Sequence, residues 1–135
     1  MTTTNTDLDN ALKLAFDTEG KEANKAYAVF LRTNFFMPVK KVEHEEQPFV
    51  PLFIQEGEHF FIPVFDTLER LQHWSGDNEI EYTQLMGNAV IRGLGENVVL
   101  CLNIGSPYYK EFLPDEITRL KTMVAKLDQF KSMKK

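Results

Sequence analysis

Residues 58 to 74, EHFFIPVFDTLERLQHW, change rhythm partway along. From His59 to Phe65 the chain is a dense run of Phe, Ile, Pro and Val. Such runs form strands covered on both faces. Leu68, Leu71 and Trp74 then recur every third residue, one stripe of a short amphipathic helix. A chain that makes this switch must join sheet to helix within a few residues. Asp66 stands at the junction and Glu69 follows three residues later. Asp at a helix N-cap accepts from the exposed N–H groups of the first turn, and an acidic residue at the third helical position can reach back. The spacing therefore predicts a capping box of Asp66 and Glu69, with Gly76 ending the helix. Strand, cap and helix explain the switch without catalysis.

The surrounding pattern extends this reading. FVPLFI and HFFIPVF flank QEGE, which predicts a β-hairpin. A two-residue loop at Glu56–Gly57 would pair Gln55 with Glu58 and set Phe53 opposite Phe60. Pro51 and Pro63 have no N–H for a ladder, so strand ends, bulges or an open edge are expected near them. Upstream, Leu8, Ala11, Leu12 and Ala15 predict a helix over residues 7 to 16. Ala23, Ala26, Tyr27, Phe30 and Leu31 predict a second over 22 to 33. The two either pack as a helical hairpin or leave the first as a loosely attached arm. FMPVKKVE alternates as a strand.

Downstream, IEYTQL is a short strand or extended link, or runs straight into a helix over about 84 to 93 that tolerates Gly87. NVVLCLNI is a buried strand, and GSPYYKEF reads as a loop. LPDEITRLKTMVAKLDQF is the clearest helix, with Pro114 in its first turn and Asp115 and Glu116 at its positive end. Ile117, Leu120, Met123, Val124, Leu127 and Phe130 form its apolar face. The expected fold is α+β. A mostly antiparallel sheet of about four or five strands carries a central hairpin and is packed by N-terminal, short middle and long C-terminal helices. Residues 1 to 6 read as a disordered leader, 7 to 131 as one domain, and 132 to 135 as a basic tail.

Composition narrows the function classes. With 43% apolar residues and 11 Phe, the 135-residue chain can build its core without metal or disulfide staples. Its single cysteine, Cys101, fits a reducing compartment. No apolar run has the length of a membrane span, and the N-terminus lacks a secretory pattern, so a cytoplasmic protein away from the membrane is expected. The net charge is −5, with acidic stretches at 43 to 46 and 77 to 81. Basic clusters are confined to Lys40–Lys41 and to Lys131, Lys134 and Lys135, too few for a phosphate-binding stripe, so no nucleic-acid partner is expected.

Two segments carry a family likeness. IPVFDTLERLQHW resembles the Pro-Val-Phe-Thr segment of the SseB protein N-terminal domain, and VVLCLNIGSPYYKEFLPDEITRL resembles its later Leu-Asn-Pro-Gly-Ser and Pro-Glu-Glu-Ile segment. The resemblance covers roughly residues 8 to 127. Asp66 stands where the family more often has Thr or Ser, and Ile104 stands where it often has Pro. The resemblance implies an α+β domain, a single-domain member, and a bacterial protein with no established catalytic residues or cofactor.

No catalytic or metal constellation competes with this reading. His44, His59 and His73 lack ligand spacing to one another or to Cys101. Cys101 lies inside VVLCLN, where a small buried residue is expected. NIGSP is not a nucleophile elbow, and GNAVIRGLGE lacks the dinucleotide-binding spacing. No metal and no cofactor are therefore expected. What remain are aromatics with polar tips, Trp74, Tyr108 and Tyr109, the residues expected to meet an unidentified protein partner or a second copy of the chain. The leading expectation is a non-enzymatic binding or adaptor module. The alternative is a small enzyme with a site assembled near Asp66, His73 and Asn103. A deep polar cleft joining those three would favour the enzyme, and a shallow aromatic patch the binding module.

Overall fold

The computed structural model describes residues 6–40 and 50–133. The acidic stretch at 43 to 46, His44, and the basic Lys134 and Lys135 lie outside the described residues. The chain opens with two helices, α1 (Asp7–Asp17) and α2 (Ala23–Leu31), packed side by side as a hairpin. The first helix is therefore no loose arm. Its buried Leu8 joins the core, and Thr6, expected in a disordered leader, is its N-cap. Thr6 accepts from the Asp9 N–H and donates its own N–H to the Asp9 carboxylate, at 3.1 and 2.8 Å. This is a full capping box.

Strand β1 (Asn34–Lys40) follows, then β2 (Val50–Pro51), β3 (Ile54–Glu56) and β4 (His59–Val64). Next come α3 (Leu68–Ser75), β5 (Glu81–Met86), α4 (Gly87–Gly93), β6 (Val98–Leu102), β7 (Lys110–Phe112) and α5 (Pro114–Met133). One sheet has the order β2-β1-β5 and the other β3-β4-β6-β7. Phe36 and Phe65 stitch them together by exchanging two backbone hydrogen bonds, 2.7 and 3.0 Å. All pairings are antiparallel except β4 with β6. The class is α+β, as the pattern implies.

The hairpin forms with a shifted register. Its loop is Gly57–Glu58, with Glu56 opposite His59 and Gln55 opposite Phe60. Gly57 has φ 59°, a value that suits glycine at the first position of a tight two-residue turn. Phe53 and Phe60 still meet, 5.7 Å apart between ring centres. GSPYYKEF is also not wholly a loop, because Lys110–Phe112 adds a strand to β6.

The core gathers around Phe30, whose ring lies 4.7 Å from that of Phe35 and 4.9 Å from that of Phe112. Leu100, Leu102, Ile91 and Leu120 close around them, so sheet, α2, α4 and α5 share one apolar interior. All five residues of β6 are buried, as its unbroken apolar run predicts.

Candidate functional site

Buried Arg70, on α3, forms the centre of a polar cluster. Its guanidinium donates to both carboxylate oxygens of Asp9 at 3.0 and 2.6 Å and to Asp66 at 2.8 Å. Asp66 also accepts from the Thr6 hydroxyl at 2.6 Å, and its backbone N–H donates to the Asn103 side chain at 3.1 Å. Asn103 has φ 57°, a left-handed conformation that Asn tolerates, and its N–H donates to the Val64 carbonyl at 2.9 Å. Burial works against the Arg70 charge. The hydrogen bonds and charges of Asp9 and Asp66 overcome it, so the guanidinium pKa stands above its ordinary value. Arg70 Nε and Asn103 Nδ2 are buried and have no hydrogen-bond partner among the described residues. The cluster ties α1, the β4–α3 junction and the end of β6 to one cation.

The expected cap at Asp66 and Glu69 is therefore corrected. Thr67 has the extended N-cap conformation, and its hydroxyl accepts from the Arg70 N–H at 3.1 Å. Asp66 lies one residue too early to cap, and its carboxylate is held by Arg70 and Thr6. Glu69 is exposed in the first turn. There its charge complements the helix dipole without closing a box. Gly76 does end the helix, with φ 60°.

Beside this cluster runs an open groove of about 1390 Å³. One wall is α1 and its turn into α2, including Lys13, Phe16, Asp17 and Glu19. The other is formed by residues 107 to 111, with Glu116 and Arg119 of α5. Tyr27 lies within it and donates its hydroxyl to Glu116 at 3.0 Å, and Lys110 pairs with Glu116 at 3.3 Å. Both walls are positioned by Arg70. Asp9 brings α1 to it, and the Tyr108 ring lies 4.6 Å from its guanidinium carbon. Such a contact between a cation and an aromatic face is attractive.

The residues singled out from the sequence separate here. Tyr108 is half-buried and Tyr109 is 41% exposed, and both line the groove. Trp74 packs at a tilt against Phe65, 5.4 Å between ring centres, and lies outside the groove lining. Asp66 and Asn103 are brought together by a hydrogen bond, while His73 is exposed in the last turn of α3. Phe16 was missed as a site residue. It is 84% exposed at the groove wall, and its place off the Leu8, Leu12 and Ala15 stripe was the available signal.

The titratable groups of the groove are mostly engaged. Partial burial, then hydrogen bonding to Glu111, pushes the Tyr109 hydroxyl well up. Burial, then Glu116, raises Tyr27. Burial also raises the thiol of Cys101, with a contact from Tyr109 opposing in part. A raised thiol is a poor nucleophile. Among the described residues no three His, Cys, Asp or Glu side chains stand close enough to hold a metal ion, and no helix is long and apolar enough to cross a membrane.

The fold and the groove thus define a small α+β domain with a ligand-sized cleft between a helix and a sheet edge. The chain belongs to the SseB family: the SseB protein N-terminal domain matches residues 8–119. No curated protein and no solved structure matches it.

Proposed function

We propose that this domain is a non-enzymatic binding module of the bacterial cytoplasm and that its partner docks in the groove between α1 and β7. The observation that carries the reading is the wall itself. Phe16, Tyr108 and Tyr109 line one groove, and Phe16 keeps 84% of its surface in water. An exposed ring on one side of a groove and polar-tipped aromatics on the other match the composition of a protein interface. The groove's fixed charges are mixed, with Lys13 and Arg119 against Asp17, Glu19 and Glu111. Mixed charge suits a peptide surface better than a phosphate or a nucleic acid.

An enzyme built on Asp66, His73 and Asn103 has weaker support. The Asp66 carboxylate is committed to Arg70 and Thr6, and His73 stands apart on the surface. A general base needs a free carboxylate or imidazole within reach of a substrate proton.

The test is capture from native lysate with the wild type and with Phe16→Ala plus Tyr109→Ala, reading proteins and retained metabolites by mass spectrometry. The reading predicts a protein held by the wild type and lost by a variant with an unchanged circular dichroism spectrum. A retained metabolite released by Asp66→Asn, with protein capture unaffected by the groove variant, would contradict it.

A further inference from the structure

Of the outer strands of the two sheets, β2, β3 and β7 are blunted. β2 is two residues long and ends at Pro51, β3 is three residues and closes on Glu56, and β7 is three residues and carries Lys110 and Glu111. Short length, proline and charge keep an edge from templating another strand. β5 differs. It is six residues long, has no Pro and no Lys, and pairs with no described strand on its outer side.

The ladder shows which of its groups are free. Phe36 exchanges its backbone hydrogen bonds with Phe65, and the Pro38 carbonyl accepts from the Leu52 N–H, so these residues of β1 face away from β5. Antiparallel pairs alternate, so Phe35, Met37 and Val39 are the residues that bond to their β5 partners Leu85, Thr83 and Glu81. Tyr82 and Gln84 therefore turn both N–H and C=O outward. Met86 turns out its N–H, while its carbonyl opens α4 as the N-cap. Tyr82 is 39% exposed and Met86 42%.

We propose that this edge pairs antiparallel with the same edge of a second copy, about a two-fold axis at Gln84, joining two three-stranded sheets into one. The occupant is selected by self-complementarity. In this register Gln84 meets Gln84, and Tyr82 of each copy meets Met86 of the other, a favourable apolar cross-strand pair formed twice. Asp77, Glu79 and Glu81 gather at one end of β5, and antiparallel pairing sets the two acidic ends apart, where parallel pairing would align them. Lys40, at that end of β1, is turned to the Phe53 ring. Each acidic end lies beside the other copy's Met86 end, where Arg32 and Asp7 line one small cleft and Arg92 is paired with Asp128. With one long open edge per chain, such a contact is isologous and closes at two copies. No β5 residue lines the groove, so this contact stands independently of the groove's occupant.

Amide hydrogen exchange followed by NMR at about 20 µM and about 1 mM tests it, a range suited to a small interface. At the higher concentration the Gln84 and Met86 amides should exchange about threefold more slowly or less, while Thr83 and Leu85, already bonded to β1, should change little. Gln84→Pro removes an outward N–H and none that β1 uses, so its circular dichroism spectrum should match wild type and the Met86 protection should vanish. Tyr82→Lys guards the edge with a charge instead and gives a second variant without proline. Sedimentation velocity at the higher concentration should show a dimer for wild type and monomers for both variants. A monomeric wild type would overturn the proposal, and so would a dimer that both variants retain. Cross-linking of another protein from position 82, with the pure chain monomeric, would overturn it in favour of a foreign strand.

Discussion

Arg70 and Asp9 meet through two hydrogen bonds across 61 residues of sequence, and each side chain is 2% exposed. A buried ion pair of this kind positions elements more than it adds net stability. Here it seats α1 against α3. Asp66 adds a second carboxylate to the same guanidinium, and Tyr108 covers it.

Removing the cation should be costly. Arg70→Met leaves Asp9 and Asp66 buried without their counter-charge and should lose about 3–5 kcal/mol in urea denaturation. Adding Asp9→Asn and Asp66→Asn to that variant should recover part of the loss. A loss under about 1 kcal/mol for Arg70→Met, the size of an exposed pair, would show that the cluster does not hold the fold.

The helix cap gives a second test. Thr67→Ala should lose about 0.5–2 kcal/mol, because the Arg70 N–H loses its acceptor. Glu69→Ala should change stability by less than about 0.5 kcal/mol, since Glu69 is exposed. The reverse order would restore the capping role to Glu69.

Gly87 and Gly93 bracket α4 and should respond in opposite directions. A Cβ on Gly87 would lie 2.0 Å from the Phe30 carbonyl oxygen, and backbone cannot swing aside. Gly87→Ala should cost about 3 kcal/mol or more. At Gly93 nothing lies within 4 Å and φ is not positive, so Gly93→Ala should gain about 0.4–1 kcal/mol. Thermal melts of the two variants compare them directly.

Alkaline pH should weaken the fold. Burial raises Cys101 above its ordinary 9.0, and burial with Glu116 raises Tyr27 above 10.0. The unfolded chain therefore releases these protons first. The contribution of both groups is complete below about pH 9 and is lost as pH rises through the folded values. The urea midpoint should fall between pH 8 and pH 10.5, and by less in Tyr27→Phe. Equal falls in both proteins would remove Tyr27 from the account.

Much of the fold was legible because it rests on local rules. The Leu8 and Ile117 stripes, the Phe-rich hairpin, the run at 98 to 102 and Gly76 each specify their element from within a few residues. What was not legible depends on partners distant in sequence. Asp66 reads as a cap until Thr6 and Arg70 claim it. Asp9 and Arg70 look like ordinary surface charges on amphipathic helices, and only tertiary packing buries them together. Gly87 looks like a tolerated helix glycine until the approach of Phe30 is seen. The parallel pairing of β4 with β6 was missed because the chain between them passes through β5, in the other sheet. The two tyrosines were singled out by an aromatic-rich joint, but the opposite wall belongs to α1, about ninety residues earlier, where only the place of Phe16 off the helix stripe hints at it.

The most direct test of the central claim is site-specific photo-cross-linking in native cells, with a benzophenone side chain at position 16 in the groove or at position 54. Ile54 is 64% exposed on β3 and lies outside the groove lining, so it controls for exposure alone. A binding groove predicts a discrete adduct from position 16, none from position 54, and its loss when Tyr109→Ala is added. An adduct from position 54 with none from position 16 would contradict the account.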